Sequence, residues 1–230
     1  MHRVVTLLRT LGFPLLLAIS LSACALGRST VDIKPPGNVA TSGTAFAKIV
    51  KVEDLRVFEA APSDAGTPSL ENADEMTDKK ITARAVARKR NSYGGALGDV
   101  VLPEGQTVAD LVRSAAKRAL QERGYTVVEE GSPQYATALP LNIQIVGFWT
   151  WVAPGFWTVN LEFKSILKLD GDALVGATPP PVESHLKDFP MAVTDGTWTN
   201  MVQRGIDDVS DRIRDAIKPP VERKLSGAGT

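Results

Sequence analysis

The sequence predicts an α+β fold, in which a single domain has an antiparallel-rich sheet and two helices packed on one face. Two observations support this prediction, and a third concerns partners. Segments in which apolar and polar residues alternate, as in half-exposed strands, occur before and after the middle of the chain. A helix with a continuous apolar face lies between them, and a second such helix follows. The 26 basic residues balance the 26 acidic ones, which argues against a global field that would attract nucleic acid.

The first half of the domain is predicted to contain two or three strands and an insertion. β-branched residues indicate a strand at 45–52, and strict alternation indicates another at 81–87. Between them, 62–78 contains two prolines, a glycine and five acidic residues, so we expect a loop there. A turn at 91–95 and a short strand at 99–102 follow.

The clearest element is a helix that begins after Thr107. This residue is a favourable N-cap, and Asp110 is a weaker variant of the acid that completes a capping box. The apolar residues at helical spacing are Val108, Leu111, Val112, Ala115, Ala119 and Leu120. Gly124 ends the helix because it accepts the left-handed conformation that a C-terminal cap needs. We expect a strand at 125–128 after this helix.

The second half is predicted to be a long hairpin, further strands and a final helix. Its arms are 139–152 and 156–169, joined by a proline–glycine turn, and the second arm alternates as an antiparallel strand with one wet face should. Short strands are expected at 173–177 and 182–193. The last helix is expected at 199–218, where two prolines end it. Both helices should cover one face of the sheet, which leaves the other for water or a partner.

The N-terminus has the features of an exported lipoprotein. A basic start and an apolar run, too short for a comfortable membrane span, end in Leu21-Ser22-Ala23-Cys24. This ending resembles the lipobox of bacterial lipoproteins, which implies cleavage between Ala23 and Cys24 and lipidation of Cys24. The alternative is an ordinary secretory signal with an incidental cysteine. Because Cys24 is the only cysteine, an exported domain would then carry a thiol with no internal partner.

The lipobox sets the expected domain organisation. Residues 1–23 are the signal peptide, 24–44 the lipidated cysteine and a flexible tether, 45–218 the periplasm-facing α+β domain, and 219–230 a polar tail. Two or three acyl chains form a durable membrane anchor. Alanine rather than aspartate follows the cysteine, which in such lipoproteins implies the outer membrane.

The sequence offers little catalytic chemistry. His185 is the only histidine left after signal cleavage, and no Gly-x-Ser-x-Gly elbow or phosphate-binding glycine loop occurs. Asp170 and Asp172 could hold calcium, but turn chemistry explains them equally well. We therefore expect no enzyme, no cofactor and no metal site.

The first candidate contact site is the basic segment Arg88-Lys89-Arg90, followed by Tyr93 and a glycine pair. Three adjacent cations could bind phosphates of lipid headgroups or an acidic partner. A solvated strand end with a flexible turn explains them as well.

The second candidate is aromatic. Trp149, Trp151, Phe156 and Trp157 lie near the expected hairpin tip, with Trp149 and Trp151 on the same face. Exposed aromatic rings anchor partners or insert at membrane interfaces. The alternative is a cross-strand aromatic ladder that fixes the register.

The central helix and its exit carry a family resemblance. The chain resembles the YajG-type lipoproteins of Gram-negative bacteria. The resemblance lies in the lipobox and in Leu111, Leu120, Gly124 and Tyr125, which lead into the Val127–Val128 strand. The resemblance implies location and fold, and transfers no catalytic residues.

The functional hypotheses follow in order. The first is a non-enzymatic lipoprotein that binds a protein partner in an envelope assembly through the basic and aromatic segments. The second is a carrier or accessory protein for an amphipathic ligand such as lipid. An enzyme is the third.

Overall fold

The computed structural model describes residues 27–41, 43–91, 93–154 and 159–221. Its strands are β1 (Ser29–Thr30), β2 (Phe46–Asp54), β3 (Ala85–Arg90), β4 (Ala96–Val101), β5 (Thr126–Val127), β6 (Leu139–Pro154), β7 (Val159–Asp170) and β8 (Val182–Asp188). Its α-helices are α1 (Lys79–Thr82), α2 (Val108–Glu122), α3 (Asp172–Val175) and α4 (Asp195–Ala216), and a 3₁₀ helix spans Ala73–Thr77.

The eight strands form one sheet organised around β6, its longest strand. One edge of β6 pairs in parallel with β2 and, further along, with β3, while its other edge pairs antiparallel with β7. The pairs β3–β4 and β7–β8 are antiparallel, and β1–β4 and β2–β5 are parallel. The predicted α+β single-domain fold with an antiparallel-rich sheet is therefore confirmed, and the sheet is mixed rather than purely antiparallel.

The long helices α2 and α4 pack on the same face of the sheet, as predicted, and share its main core. Thr107 and Asp110 form the expected capping box of α2. Gly124 follows this helix with a φ of 95°. Between the helices, Ser210 Oγ donates to the Ala115 carbonyl oxygen at 3.1 Å. This inner face holds the main hydrophobic core.

The predicted tether is wrong where the structure describes it, at 27–41. Val31 and Ile33 are fully buried in the main core, and β1 pairs with β4 beside them. The backbone of Lys34 exchanges two hydrogen bonds with the Gln203 side chain on α4, at 2.9 and 3.1 Å. Alternating apolar residues thus fix this segment to the domain although prolines and glycines surround them.

The opposite face of the sheet is covered in one part and exposed in another. Gln144, Val146 and Lys168 on this face are exposed, in agreement with the expectation that it meets water or a partner. Residues 55–82 form a covering layer over β3, β4 and the adjoining part of β6. Leu70 of this layer packs with Ala85, Val101 and Trp149 of the sheet in a second hydrophobic core. The insertion predicted as a loop is therefore a packed layer, with Leu70 as its buried apolar residue.

A buried arginine fastens this layer to the sheet. The guanidinium of Arg56 donates to the carbonyl oxygens of Thr82, Ala85 and Phe148 at 2.8, 2.7 and 3.1 Å. It also makes two hydrogen bonds with the carboxylate of Asp54, at 2.7 and 2.8 Å. The Arg56 side chain has no exposed surface, so these acceptors replace its water shell.

Three predicted strands need correction. Residues 81–87 are divided between α1 and β3, because Asp78 caps a helical turn by accepting from the Lys80 amide at 2.8 Å. The expected strand at 173–177 is the short helix α3, and the strand expected at 182–193 ends at Asp188, shortly before a proline.

Candidate functional site

One end of the domain gathers several chain segments. Because β6 runs parallel to β3, both strands finish at the same end. Leu161, near the start of β7, pairs with Asp188 at the end of β8. The start of β7 and the β8–α4 loop therefore lie at this end as well. The β3–β4 turn and the first residues of α4 complete it. We call it the loop end.

A cavity of about 680 Å³ lies at the loop end. Its apolar lining residues come from β4, β6, β7, the β8–α4 loop and α4; they are Leu97, Val152, Val159, Val193 and Trp198. Lys89, Arg90, Thr194, Asp195 and Gly196 complete the lining. The walls are thus mainly apolar with polar groups on one side, the arrangement typical of small-molecule sites.

The polar side of the cavity is organised by Lys89. Only 9% of its side chain is exposed. Its ammonium Nζ donates to Ser29 Oγ, and Ser29 Oγ in turn donates to Asp195 Oδ1 at 2.7 Å. Nζ and Asp195 Oδ1 are 3.5 Å apart. β1, β3 and α4 therefore meet in one short polar chain beside the apolar walls.

The three predicted cations do not form one patch. Lys89 points to the helix side of the sheet, whereas Arg88 pairs in register with Asp99, whose carboxylate binds the covering layer by accepting from the Glu71 amide. Arg90 also turns to the covering layer, where it donates to the Pro62 carbonyl oxygen at 3.0 Å and to Ser69 Oγ at 3.1 Å. The strand pleat separates neighbouring side chains in this way.

The surroundings of Arg90 also shift the pKa of its guanidinium. Burial lowers the pKa of its guanidinium below the ordinary value, with the nearby positive charge of Arg88 acting in the same direction and Asp64 opposing it. Tyr93, in contrast, stands in solvent at the β3–β4 turn with 96% of its surface exposed. Of the four predicted contact residues in this segment, Lys89 and Arg90 line the cavity and Tyr93 is freely accessible.

The predicted aromatic residues are also divided. Trp149 and Trp151 share the outer face, as alternation predicts, but Trp149 is 98% buried beneath the covering layer, given its 2% exposure. Its ring packs edge-on against Phe58, with centroids 5.8 Å apart. This contact is neither the exposed contact site nor the cross-strand ladder that the sequence left open. Phe156 and Trp157 lie outside the described residues, as do Ala23 and Cys24.

Trp151 borders a second cavity of about 440 Å³ on the outer face. Its ring stacks on His185 with centroids 6.2 Å apart. His185 Nε2 lies 2.9 Å from Glu162 Oε2, and Lys187 Nζ lies 3.2 Å from Glu162 Oε1. His185 is thus held between a carboxylate and an indole on a half-exposed strand face.

The described residues contain neither a metal-binding cluster nor a membrane-spanning helix. No group of three or more histidine, cysteine, aspartate or glutamate side chains there is placed to hold a metal ion. Within the same ranges, every helix is too short or too polar to cross a bilayer.

Comparisons with known proteins show distant likeness only. No family model and no curated protein sequence matches the chain. Among solved structures, an uncharacterized protein is 11% identical with a TM-score of 0.40, covering 81% of this chain and 98% of its own. A Xanthomonas campestris protein of family DUF330 is 10% identical with a TM-score of 0.43, covering 81% and 91%. A minor lipoprotein from Acinetobacter baumannii is 12% identical with a TM-score of 0.33, covering 48% and 84%.

Sequence reasoning missed the residues that complete the loop-end site. Ser29 lies within the predicted tether, and no predicted element contains Asp195 or Trp198. The threonines at 194 and 197 were the available signal, because they form a capping box that starts α4 four residues earlier than predicted.

Proposed function

We propose that the protein is a non-enzymatic bacterial lipoprotein, anchored through Cys24 to the outer membrane and facing the periplasm, whose loop-end cavity binds an amphipathic ligand such as lipid. The observation that supports this proposal is the cavity itself. Its volume of about 680 Å³ falls within the range of roughly 300–1,000 Å³ typical of ligand pockets. An acyl chain would lie against Val152, Val193 and Trp198.

The polar side of the cavity suits a headgroup. Lys89 offers an ammonium that is already desolvated and held in place by Ser29, so a ligand anion would not have to order it. Asp195 shares this ammonium from 3.5 Å. A headgroup with both a positive and a negative charge fits this pair better than a simple anion, because it can meet both partners.

The hydrogen-bond directions favour binding over catalysis. A serine beside a lysine is also the atom pair of Ser–Lys hydrolases, in which the amine accepts the serine proton. Here the ammonium of Lys89 donates to Ser29 Oγ, and that hydroxyl donates to Asp195 Oδ1. The serine proton thus points to the carboxylate, and the amine is a donor in this arrangement.

An accessory role in an envelope assembly remains part of the proposal. Trp149 no longer supports it as a contact residue, because its ring is buried. Among the predicted contact residues that the structure describes, Tyr93 is exposed and Trp151 is half-buried. Crosslinking in cells, with Tyr93 and Trp151 changed to alanine, tests whether a defined protein partner is lost.

The ligand site is tested by filling the cavity. We expect Val193→Trp to abolish binding of a fluorescent phospholipid analogue and to remove lipid that co-purifies with the wild-type protein in mass spectra. Val50→Trp is the matched control, because Val50 is exposed on β2 and does not line the cavity. Equal binding by both variants, with both folded by circular dichroism, would contradict the proposal.

A further inference from the structure

The loop end carries exposed apolar side chains. Tyr93 at the β3–β4 turn is 96% exposed, and in the β8–α4 loop Phe189 is 63% exposed and Met191 is fully exposed. Two separate chain segments thus place large apolar residues at the same end. Exposed apolar groups that recur together mark an interaction surface.

The chain that leads to Cys24 enters the domain at this end. β1 runs parallel to β4, so the residues before β1 lead toward the start of β4 and the adjoining turn with Tyr93. Gly27 is already fixed there, since its amide donates to the Leu97 carbonyl oxygen at 2.7 Å. The backbone of Gly27 lies against Gly98, where a Cβ atom would come within 1.9 Å of the Gly27 oxygen.

The fixed position of Gly27 limits the distance between the domain and the proposed lipid on Cys24. Cys24 precedes Gly27 by three positions. A fully extended chain covers at most about 3.6 Å per residue, so the two Cα atoms are at most roughly 11 Å apart. A flexible tether of twenty residues, as expected from the sequence, would instead allow roughly 25 Å. The loop end is therefore confined close to any bilayer that holds the acyl chains.

We propose that the loop end rests on the bilayer in which Cys24 is anchored, with Tyr93, Phe189 and Met191 inserted at its interface. This inference depends on the proposed lipidation of Cys24. The partner is a lipid surface, because the anchor brings this end to the membrane and the exposed side chains match its apolar–polar boundary. The cavity then lies beside the membrane, where an amphipathic ligand can pass between the two.

Charge contributes little to this contact. Arg28 is paired with Glu75 and Asp99, and Lys89 with Asp195. In the same region, Arg204 and Asp188 form an ion pair with N–O 2.8 Å. Because Arg28, Lys89 and Arg204 already have acidic partners and Arg90 is turned to the covering layer, we expect the contact to survive high salt and to depend weakly on anionic lipid.

The experiment places single fluorescent labels on the full-length lipoprotein. Lipidation blocks Cys24, so Met191→Cys and Thr178→Cys each supply one thiol for an environment-sensitive nitrobenzoxadiazole label. Thr178 is exposed at the opposite end of the domain, shortly before the start of β8. The proteins are reconstituted in phosphatidylethanolamine–phosphatidylglycerol vesicles, with and without nitroxide-labelled acyl chains, and their fold is checked by circular dichroism.

We expect a blue shift and strong nitroxide quenching at position 191 and neither at 178, unchanged at high salt. Acylated protein that shows no quenching at 191, or equal quenching at both positions, would overturn membrane docking. That result leaves the cavity assay with Val193→Trp unaffected, so the two proposals fail separately. An N-terminal peptide without acyl chains in mass spectra would overturn both the anchor and the docking.

Discussion

The hydroxyl of Ser29 donates a hydrogen bond of 2.7 Å to the carboxylate of Asp195, which joins residues 166 positions apart. Ser29 lies in β1 and Asp195 is the first residue of α4. The bond closes the sheet edge against the start of the last helix. The chain following the proposed lipid attachment is thus part of the domain rather than a spacer.

The first prediction concerns this N-terminal segment. Ile33→Ala should lower the free energy of unfolding by about 2–5 kcal/mol, because the side chain is fully buried in the main core. Val39→Ala is the control within the same segment, since Val39 is 37% exposed, and it should change stability by less than about 0.5 kcal/mol. Urea unfolding followed by circular dichroism measures both. Equal, small effects would show that the segment is a tether after all.

The second prediction concerns the clamp that holds the covering layer. Arg56→Ala should cost about 3–5 kcal/mol, because it leaves the carboxylate of Asp54 without its partner and three buried carbonyl oxygens without donors. Arg212→Ala is the control. Its side chain is 56% exposed and pairs with Asp208 at 3.4 Å, so its loss should cost at most about 1 kcal/mol. Equal unfolding midpoints of the two variants would contradict the clamp.

The third prediction separates the aromatic residues by burial. Trp149→Ala should destabilise the fold by about 3–5 kcal/mol, because the indole fills the second core against Phe58. Tyr93→Ala should leave thermal unfolding nearly unchanged, since its ring is in solvent. If Trp149→Ala folds with wild-type stability, the covering layer is not packed as described.

Local patterns predicted the elements whose signals are contained in a few residues. The capping box and apolar face of α2 and the alternation along β7 are of this kind, and they lie where the sequence placed them. The face shared by Trp149 and Trp151 followed from the same alternation.

Contacts between segments far apart in the chain could not be predicted from local sequence patterns. The burial of Val31 and Ile33 depends on β4 and α4, which lie far away in the chain. The covering layer likewise depends on Arg56 finding acceptors on α1, β3 and β6, and nothing near Arg56 in the sequence signals them. The cavity brings Lys89 and Trp198 together only once the sheet and α4 are in place.

The fourth prediction concerns alkaline pH. Tyr125 is 2% exposed, and its hydroxyl donates to the Lys218 carbonyl oxygen at 3.1 Å. Burial raises the pKa of this phenol above its ordinary value of 10.0. The folded state therefore holds the proton more tightly than the unfolded chain does. Its contribution to stability is complete below about pH 10 and is lost as the pH rises from there through the pKa of the folded state.

The test compares the unfolding free energies of wild type and Tyr125→Phe between pH 8 and pH 11. The values at pH 8 are the reference for each protein. At pH 8 the variant should be less stable by about 1 kcal/mol, because it lacks one hydrogen bond. As the pH rises, wild type should lose stability more steeply than the variant, so the difference between them narrows. Parallel pH profiles of unfolding free energy would mean that the Tyr125 proton is not linked to folding.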